Sequence, residues 1–105
     1  MKIEERFLEY VKFDTQADPD STSTPSTMKQ KELSKYLVEE LHRLGVSNAS
    51  MNEHGEVYAH LEANCEGKDR IGFIAHMDTA PDCSGKDIKP RIVKNYDGGD
   101  IQLNE

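Results

Sequence analysis

The segment IGFIAHMDT, residues 71–79, joins a continuously apolar run to the polar side chains of His76 and Asp78. An uncharged run such as residues 71–75 is typical of a strand that is buried on both faces, as the central strands of an α/β layer are. The first polar side chains follow at the carboxyl end of that strand, where α/β sheets bind their ligands. This segment therefore predicts both the fold class and the position of a functional site.

His76 and Asp78 are the candidate functional residues of the segment. In near-extended backbone, residues two apart point to the same side, so these two side chains can share a face while Met77 turns into the packing. A neutral imidazole can bind zinc through one nitrogen while a carboxylate fixes its tautomer through the other. A His-x-Asp triplet also arises by chance, and a purely structural pair is the alternative interpretation.

The residues before this segment predict two amphipathic helices separated by a loop. Residues 3–13 carry apolar side chains at helical spacing, whereas residues 14–27 have no periodicity and predict an exposed loop outside any core. Thr27 and Gln30 fit a capping box for a second helix of about four to five turns, which Gly45 ends. The apolar stripes consist of Ile3, Phe7, Leu8 and Val11 in the first helix and of Leu33, Tyr36, Leu37, Leu41 and Leu44 in the second.

A β-hairpin is predicted between the second helix and the apolar run. Residues 56–62 alternate apolar and polar side chains, and a turn at residues 53–55 separates them from residues 47–52. Together with the strand at residues 71–75, these elements predict the α/β class, with a mixed sheet and flanking helices.

The composition limits the kinds of partner. The 105 residues are 35% hydrophobic and 31% charged, which is polar for a self-contained core, so we expect the sheet to be covered by elements encoded elsewhere. A net charge of -7 argues against binding to nucleic acid or to an anionic membrane. The sequence shows neither a signal peptide nor an apolar run long enough to span a bilayer, and Cys65 and Cys83 lack metal or redox spacing, so a cytoplasmic protein with reduced thiols is expected.

Residues 71–103, IGFIAHMDTAPDCSGKDIKPRIVKNYDGGDIQL, resemble the M20 family of zinc metallopeptidases. Residues 5–16, ERFLEYVKFDTQ, and residues 25–27, PST, are similar to the same family, so the likeness covers nearly the whole chain. Deacylases and dipeptidases of the family share the His-x-Asp but usually continue differently. Residues 79–99 are instead similar to its tripeptide aminopeptidases.

This resemblance implies the N-terminal part of the catalytic domain of a two-domain, di-zinc peptidase that removes the N-terminal residue from tripeptides. It implies that His76 binds one zinc ion and that Asp78, which holds the imidazole, is catalytic. The family's Glu-Glu pair should follow this motif, so the pairs Glu4-Glu5 and Glu39-Glu40 are interpreted as solvated helix faces. The remaining ligands, the general base and the lid or dimerisation domain are expected beyond residue 105.

Several alternatives stay open at this stage. The parent could be another M20 hydrolase, such as a dipeptidase or deacylase, or the chain could be a non-catalytic interaction module. Asp14 and Thr15 either end the first helix or lie beside the site. The 105-residue chain by itself is expected to be inactive and to bind zinc weakly, and a homo-oligomer is possible.

Overall fold

The computed structural model describes residues 1–103 of the chain. Its elements follow in the order α1, Ile3–Tyr10; α2, Gln30–Arg43; β1, Ser50–Met51; and β2, Val57–Tyr58. The two strands are antiparallel, with Ser50 opposite Tyr58 and Met51 opposite Val57, and α2 packs on both of them. A helix packed on a small sheet is compatible with the predicted α/β class, although the sheet formed by the described residues is antiparallel and not mixed as predicted. Every helix within residues 1–103 is too short or too polar to cross a membrane.

Helix α2 ends where the sequence predicts. Gly45 has a φ of 91°, in the left-handed region that suits glycine. Its N–H donates to the His42 carbonyl at 3.0 Å, and the N–H of Val46 donates to the Leu41 carbonyl at 2.9 Å. This pair of bonds is a Schellman motif, which satisfies carbonyl groups that the last turn would otherwise leave unpaired.

The predicted capping box at the start of α2 is wrong. The N-cap is Lys29, which makes no side-chain capping bond. The Thr27 hydroxyl instead donates to the Gln16 carbonyl at 2.8 Å, and the Gln30 side-chain amide donates to Thr27 Oγ1 at 3.0 Å. The Thr27 hydroxyl therefore links the preceding loop to α2, because it donates to Gln16 in the loop and accepts from Gln30 in the helix.

Helix α1 contacts α2 mainly through its C-terminal half. The ring centroids of Tyr10 and Tyr36 lie 6.1 Å apart, and those of Phe13 and Tyr36 lie 5.3 Å apart. Ile3 and Phe7, at the other end of the predicted apolar stripe, are exposed. The stripe is therefore covered only toward its C-terminal end, where Leu8 and Val11 are half-buried.

Glu40 was predicted to lie on a solvated helix face, and this is wrong. It is 6% exposed. Its Oε1 lies 2.9 Å from Arg6 Nε, although the Arg6 N–H is not aligned with that oxygen. The Tyr10 hydroxyl donates to Oε2. Burial, together with this hydrogen bond to the Glu40 carboxylate, raises the pKa of Tyr10 to about 12. A polar cluster of Arg6, Tyr10 and Glu40 thus joins α1 to α2.

The strand predicted at residues 71–75 is also wrong for the described part of the chain. These residues form no strand, and Ile71 is 80% exposed, Phe73 is 93% exposed and Ile74 is fully exposed. A strand is buried on both faces only when neighbouring strands pair with it and other layers cover it. Within residues 1–103, no strand pairs with this run and no layer covers it.

The first prediction concerns the polar cluster. Glu40→Ala should destabilise the chain by about 1–3 kcal/mol, because it leaves the Tyr10 hydroxyl without its acceptor and the Arg6 guanidinium without its ion-pair partner. Glu39→Ala is the matched control on the same helix, since the Glu39 side chain is 72% exposed and its loss should cost within about 0.5 kcal/mol. Urea unfolding measures both variants, and equal midpoints would contradict a stabilising role for Glu40.

A second prediction concerns the pH dependence of Tyr10. The folded chain holds this proton more tightly than the unfolded chain, so the stabilisation is complete below the ordinary value of 10.0 and is lost as the pH rises through about 12. In an alkaline titration followed by tyrosinate absorbance, a transition near pH 12 should be present in the native chain and absent in Tyr10→Phe. If the absorbance lost in Tyr10→Phe belongs to the transition near the ordinary value of 10.0, the burial of this hydroxyl is refuted.

Candidate functional site

Helix α2 positions the segment that carries the candidate residues. The Ser34 hydroxyl is fully buried; it donates to the Gly55 carbonyl at 2.6 Å and lies 3.7 Å from Met77 Sδ. Gly55 has a φ of 84°, and Lys31 Nζ donates to the Glu53 carbonyl of the same turn at 2.7 Å. The helix therefore holds both the hairpin turn and the middle residue of the His-x-Asp triplet.

His76 and Asp78 lie together in the structure. His76 Nδ1 is 3.1 Å from Asp78 Oδ1 and 2.9 Å from the Asp78 carbonyl oxygen. Met77 is half-buried against α2, whereas the His76 side chain is 86% exposed. The predicted local geometry, with two side chains on one side and Met77 in the packing, is confirmed. Both partners of Nδ1 are acceptors, so this nitrogen carries the proton and Nε2 is the nitrogen with a lone pair for a metal.

The donor set fits one zinc ligand with its orienting carboxylate. Within residues 1–103, no group of three or more His, Cys, Asp or Glu side chains could hold a metal ion. Zinc sites in proteins use at least three protein ligands. The described residues therefore contain too few donor side chains to enclose a zinc ion by themselves.

An open cleft of about 860 Å³ runs past this pair. One wall is formed by α1 and α2, including Tyr10, Glu40 and Leu41, and another by the hairpin. Residues 73–78 form the wall that carries His76 and Asp78. The pair thus faces a space large enough for a small ligand, since ligand pockets typically have volumes of about 300–1,000 Å³.

The loop after α1 pairs directly with the end of the candidate segment. Thr79 N–H donates to the Thr15 carbonyl at 3.0 Å, and Ala17 N–H donates to the Thr79 carbonyl at 2.9 Å. These bonds form a parallel bridge between Gln16 and Thr79. Thr15 is 3% exposed, so the prediction that residues 14–27 contribute nothing buried is wrong. The sequence gives no local signal for this contact, because the partners are far apart in the chain and neither belongs to a periodic pattern.

Asp14 fixes the start of this loop. Its Oδ2 accepts from Lys29 Nζ at 2.8 Å, and its Oδ1 accepts from the Gln16 N–H at 3.1 Å. These two bonds, the one from Lys29 above all, hold the pKa of the Asp14 carboxyl below its usual value. Asp14 is therefore charged at neutral pH and ties residues 14–17 to the start of α2.

The other histidines and the cysteines lie outside the candidate pair. His42 Nε2 is 2.9 Å from the Ala49 carbonyl oxygen. His54 and His60 are exposed beside Glu53 and Glu62 respectively. Cys65 and Cys83 are free and exposed. His42 is exposed as well, so all three of these histidines lie at the surface.

Comparison with known proteins identifies relatives along nearly the entire chain. No protein-family model matches it. Peptidase T of Clostridium perfringens strain 13 is 58% identical over 104 residues, which make up 97% of this chain and 25% of that protein. Peptidase T of Clostridium acetobutylicum is 54% identical over 105 residues, 99% of this chain and 26% of the relative. Peptidase T of Geobacillus sp. strain WCH70 is 53% identical over 106 residues, again 99% of this chain and 26% of the relative.

These relatives are peptidases by name, so the chain is related to a class of peptide-hydrolysing enzymes. It is homologous to peptidase T along nearly its whole length. The chain spans about a quarter of the length of the curated relatives that it matches.

Proposed function

We propose that this chain is the N-terminal part of the catalytic domain of an M20 zinc peptidase that removes the N-terminal residue from tripeptides. The observation that carries the proposal is the contact between His76 Nδ1 and Asp78, placed on the wall of a cleft. Homology to peptidase T over nearly the whole chain supports the same function. It also favours a tripeptide aminopeptidase over another M20 hydrolase or a non-catalytic module.

Each residue of the pair has a distinct role in this proposal. His76 presents Nε2 to one zinc ion, and Asp78 holds the proton on Nδ1, which fixes the tautomer and the plane of the ring. Zinc, when bound, supplies Lewis-acid polarisation of the scissile carbonyl and an activated water. The further ligands, the general base and a lid or dimerisation domain are assigned to other parts of the peptidase T-like protein.

The proposal extends to substrate, cofactor and location. The substrates are short peptides, the cofactor is a pair of zinc ions, and the compartment is the cytoplasm. The charge of -7 disfavours a polyanionic partner. A cleft of about 860 Å³ can enclose a peptide of a few residues but not a folded protein.

A third prediction tests the two roles in the full-length protein. His76→Ala should lose most of the zinc at one site and nearly all tripeptide hydrolysis, because a metal centre has few protein ligands. Asp78→Asn should keep the fold and lower turnover by at least about tenfold, as expected for a residue that orients a metal-bound imidazole. Metal analysis and steady-state kinetics measure both variants.

His60→Ala serves as the control, since His60 is exposed at the end of the hairpin. It should retain the zinc content and turnover of the parent protein. Two bound zinc ions and normal turnover in His76→Ala would refute the ligand assignment. Unchanged kinetics in Asp78→Asn would make Asp78 purely structural.

A fourth prediction concerns the 105-residue chain by itself. It should hydrolyse no tripeptide even with excess zinc and should bind zinc weakly, because one imidazole leaves most of the coordination sphere to water. Calorimetric zinc titration and a peptide-hydrolysis assay measure both properties. Robust turnover by this chain would refute the proposal that the other catalytic groups lie elsewhere.

A further inference from the structure

We propose that residues 14–17 and Gly85 form a clamp that holds Asp78 in its orientation toward His76, with Gly85 as a positioning residue. The clamp is defined by backbone pairing, a side-chain hydrogen bond and a close approach that only glycine permits. The contribution of the clamp to catalysis rests on the function proposed above. Its geometry does not depend on that function.

The backbone pairing acts on the peptide unit between Asp78 and Thr79. The N–H of this unit donates to the Thr15 carbonyl at 3.0 Å, and its carbonyl oxygen, which belongs to Asp78, lies 2.9 Å from His76 Nδ1. Because a peptide unit is planar, fixing one end of it fixes the other. The bond from Ala17 N–H to the Thr79 carbonyl, at 2.9 Å, fixes the next unit as well.

Side chains hold the paired loop in place from both ends. Gln16 Nε2 donates to the Pro81 carbonyl at 2.9 Å, on the far side of Thr79. Asp14 is bound by Lys29 Nζ at 2.8 Å, which anchors the loop to α2. Thr15, between them, is buried. A shift of the loop would therefore break several polar contacts together. The loop is thus a stable support for the Asp78 peptide unit.

Gly85 closes the clamp because a side chain at this position would press on the Asp14 carboxylate. A Cβ at this position would lie 2.8 Å from Asp14 Oδ1, 3.3 Å from Thr79 Oγ1 and 3.4 Å from the Gln16 nitrogen. The Gly85 backbone is outside the left-handed region, so space and not φ requires the glycine. Gly72 is the matched control, since its backbone is also outside that region and a Cβ there has no atom within 4 Å.

The experiment measures the tautomer of His76 by ¹⁵N NMR of the labelled chain at mildly alkaline pH, where imidazole in solution is neutral. In the parent chain Nδ1 should carry the proton, because both of its partners are acceptors. Gly85→Ala should lose this preference and shift the ring signals at least halfway toward those of free histidine. Gly72→Ala should keep the parent tautomer. A parent tautomer in a folded Gly85→Ala chain would overturn the clamp.

A second variant covers the case in which Gly85→Ala fails to fold, as judged by the amide spectrum of α2 and the hairpin. Gln16→Ala removes only the side-chain hydrogen bond to the Pro81 carbonyl. Unlike Gly85→Ala, it shortens a side chain and introduces no steric clash. It should shift the His76 ring signals in the same direction while the α2 amides stay unchanged. If Gln16→Ala retains the parent tautomer, the clamp is refuted on this test alone.

Kinetics of the full-length protein separate the clamp from the proposed function. Gly85→Ala should lower kcat by about tenfold with little change in KM, because it misplaces a residue that acts through the metal-bound imidazole. Gly72→Ala should leave both constants unchanged. The NMR result needs neither zinc nor peptide, so a protein without peptidase activity refutes the function and not the clamp. An unaltered tautomer refutes the clamp and not the function.

Discussion

The buried hydroxyl of Ser34 is the contact on which the arrangement of the described residues depends. It donates to the Gly55 carbonyl at 2.6 Å and touches Met77 Sδ at 3.7 Å. Its other backbone acceptor, the Gln30 carbonyl within α2, lies farther away at 3.4 Å, so the hairpin turn provides the stronger hydrogen bond of this buried hydroxyl. Among the described residues the buried apolar side chains are Leu33 and Ala49. Because this core is so small, polar contacts determine how the elements are placed relative to one another.

Helix α2 uses different polar residues to position each of the other parts. Glu40 binds α1 through Arg6 and Tyr10, and Ser34 binds the hairpin. Lys29, at the N-cap, binds Asp14 and through it the loop that pairs with Thr79. Two sets of contacts thereby hold His76 and Asp78 in place relative to α2. One is the contact of Met77 with Ser34, and the other is the backbone pairing of Thr79 with the loop that Lys29 anchors.

The sequence predicts those features that one short segment determines. The end of α2 follows from Gly45, because few other residues adopt its φ, and the hairpin follows from alternation around a turn that contains Gly55. The shared side of His76 and Asp78 follows from extended backbone. The burial of Glu40 and the pairing of residues 14–17 with Thr79 depend on partners in distant segments, and no local pattern encodes them. The apolar run at residues 71–75 is a further example, because a strand at this position is buried only when other strands and layers pack against it.

On the proposed function, covering that apolar run and completing the metal site are coupled. Phe73 and Ile74 are exposed immediately before His76, and residues 73–78 share one wall of the cleft. Elements that bury the run would therefore lie beside the imidazole and remove water from it. Excluding water strengthens electrostatic interactions, so the bond between His76 and Asp78 would become stronger than it is at the exposed surface. The apolar residues would thus contribute to the chemistry indirectly, since the packing that covers them would also control the access of water to the His-x-Asp pair.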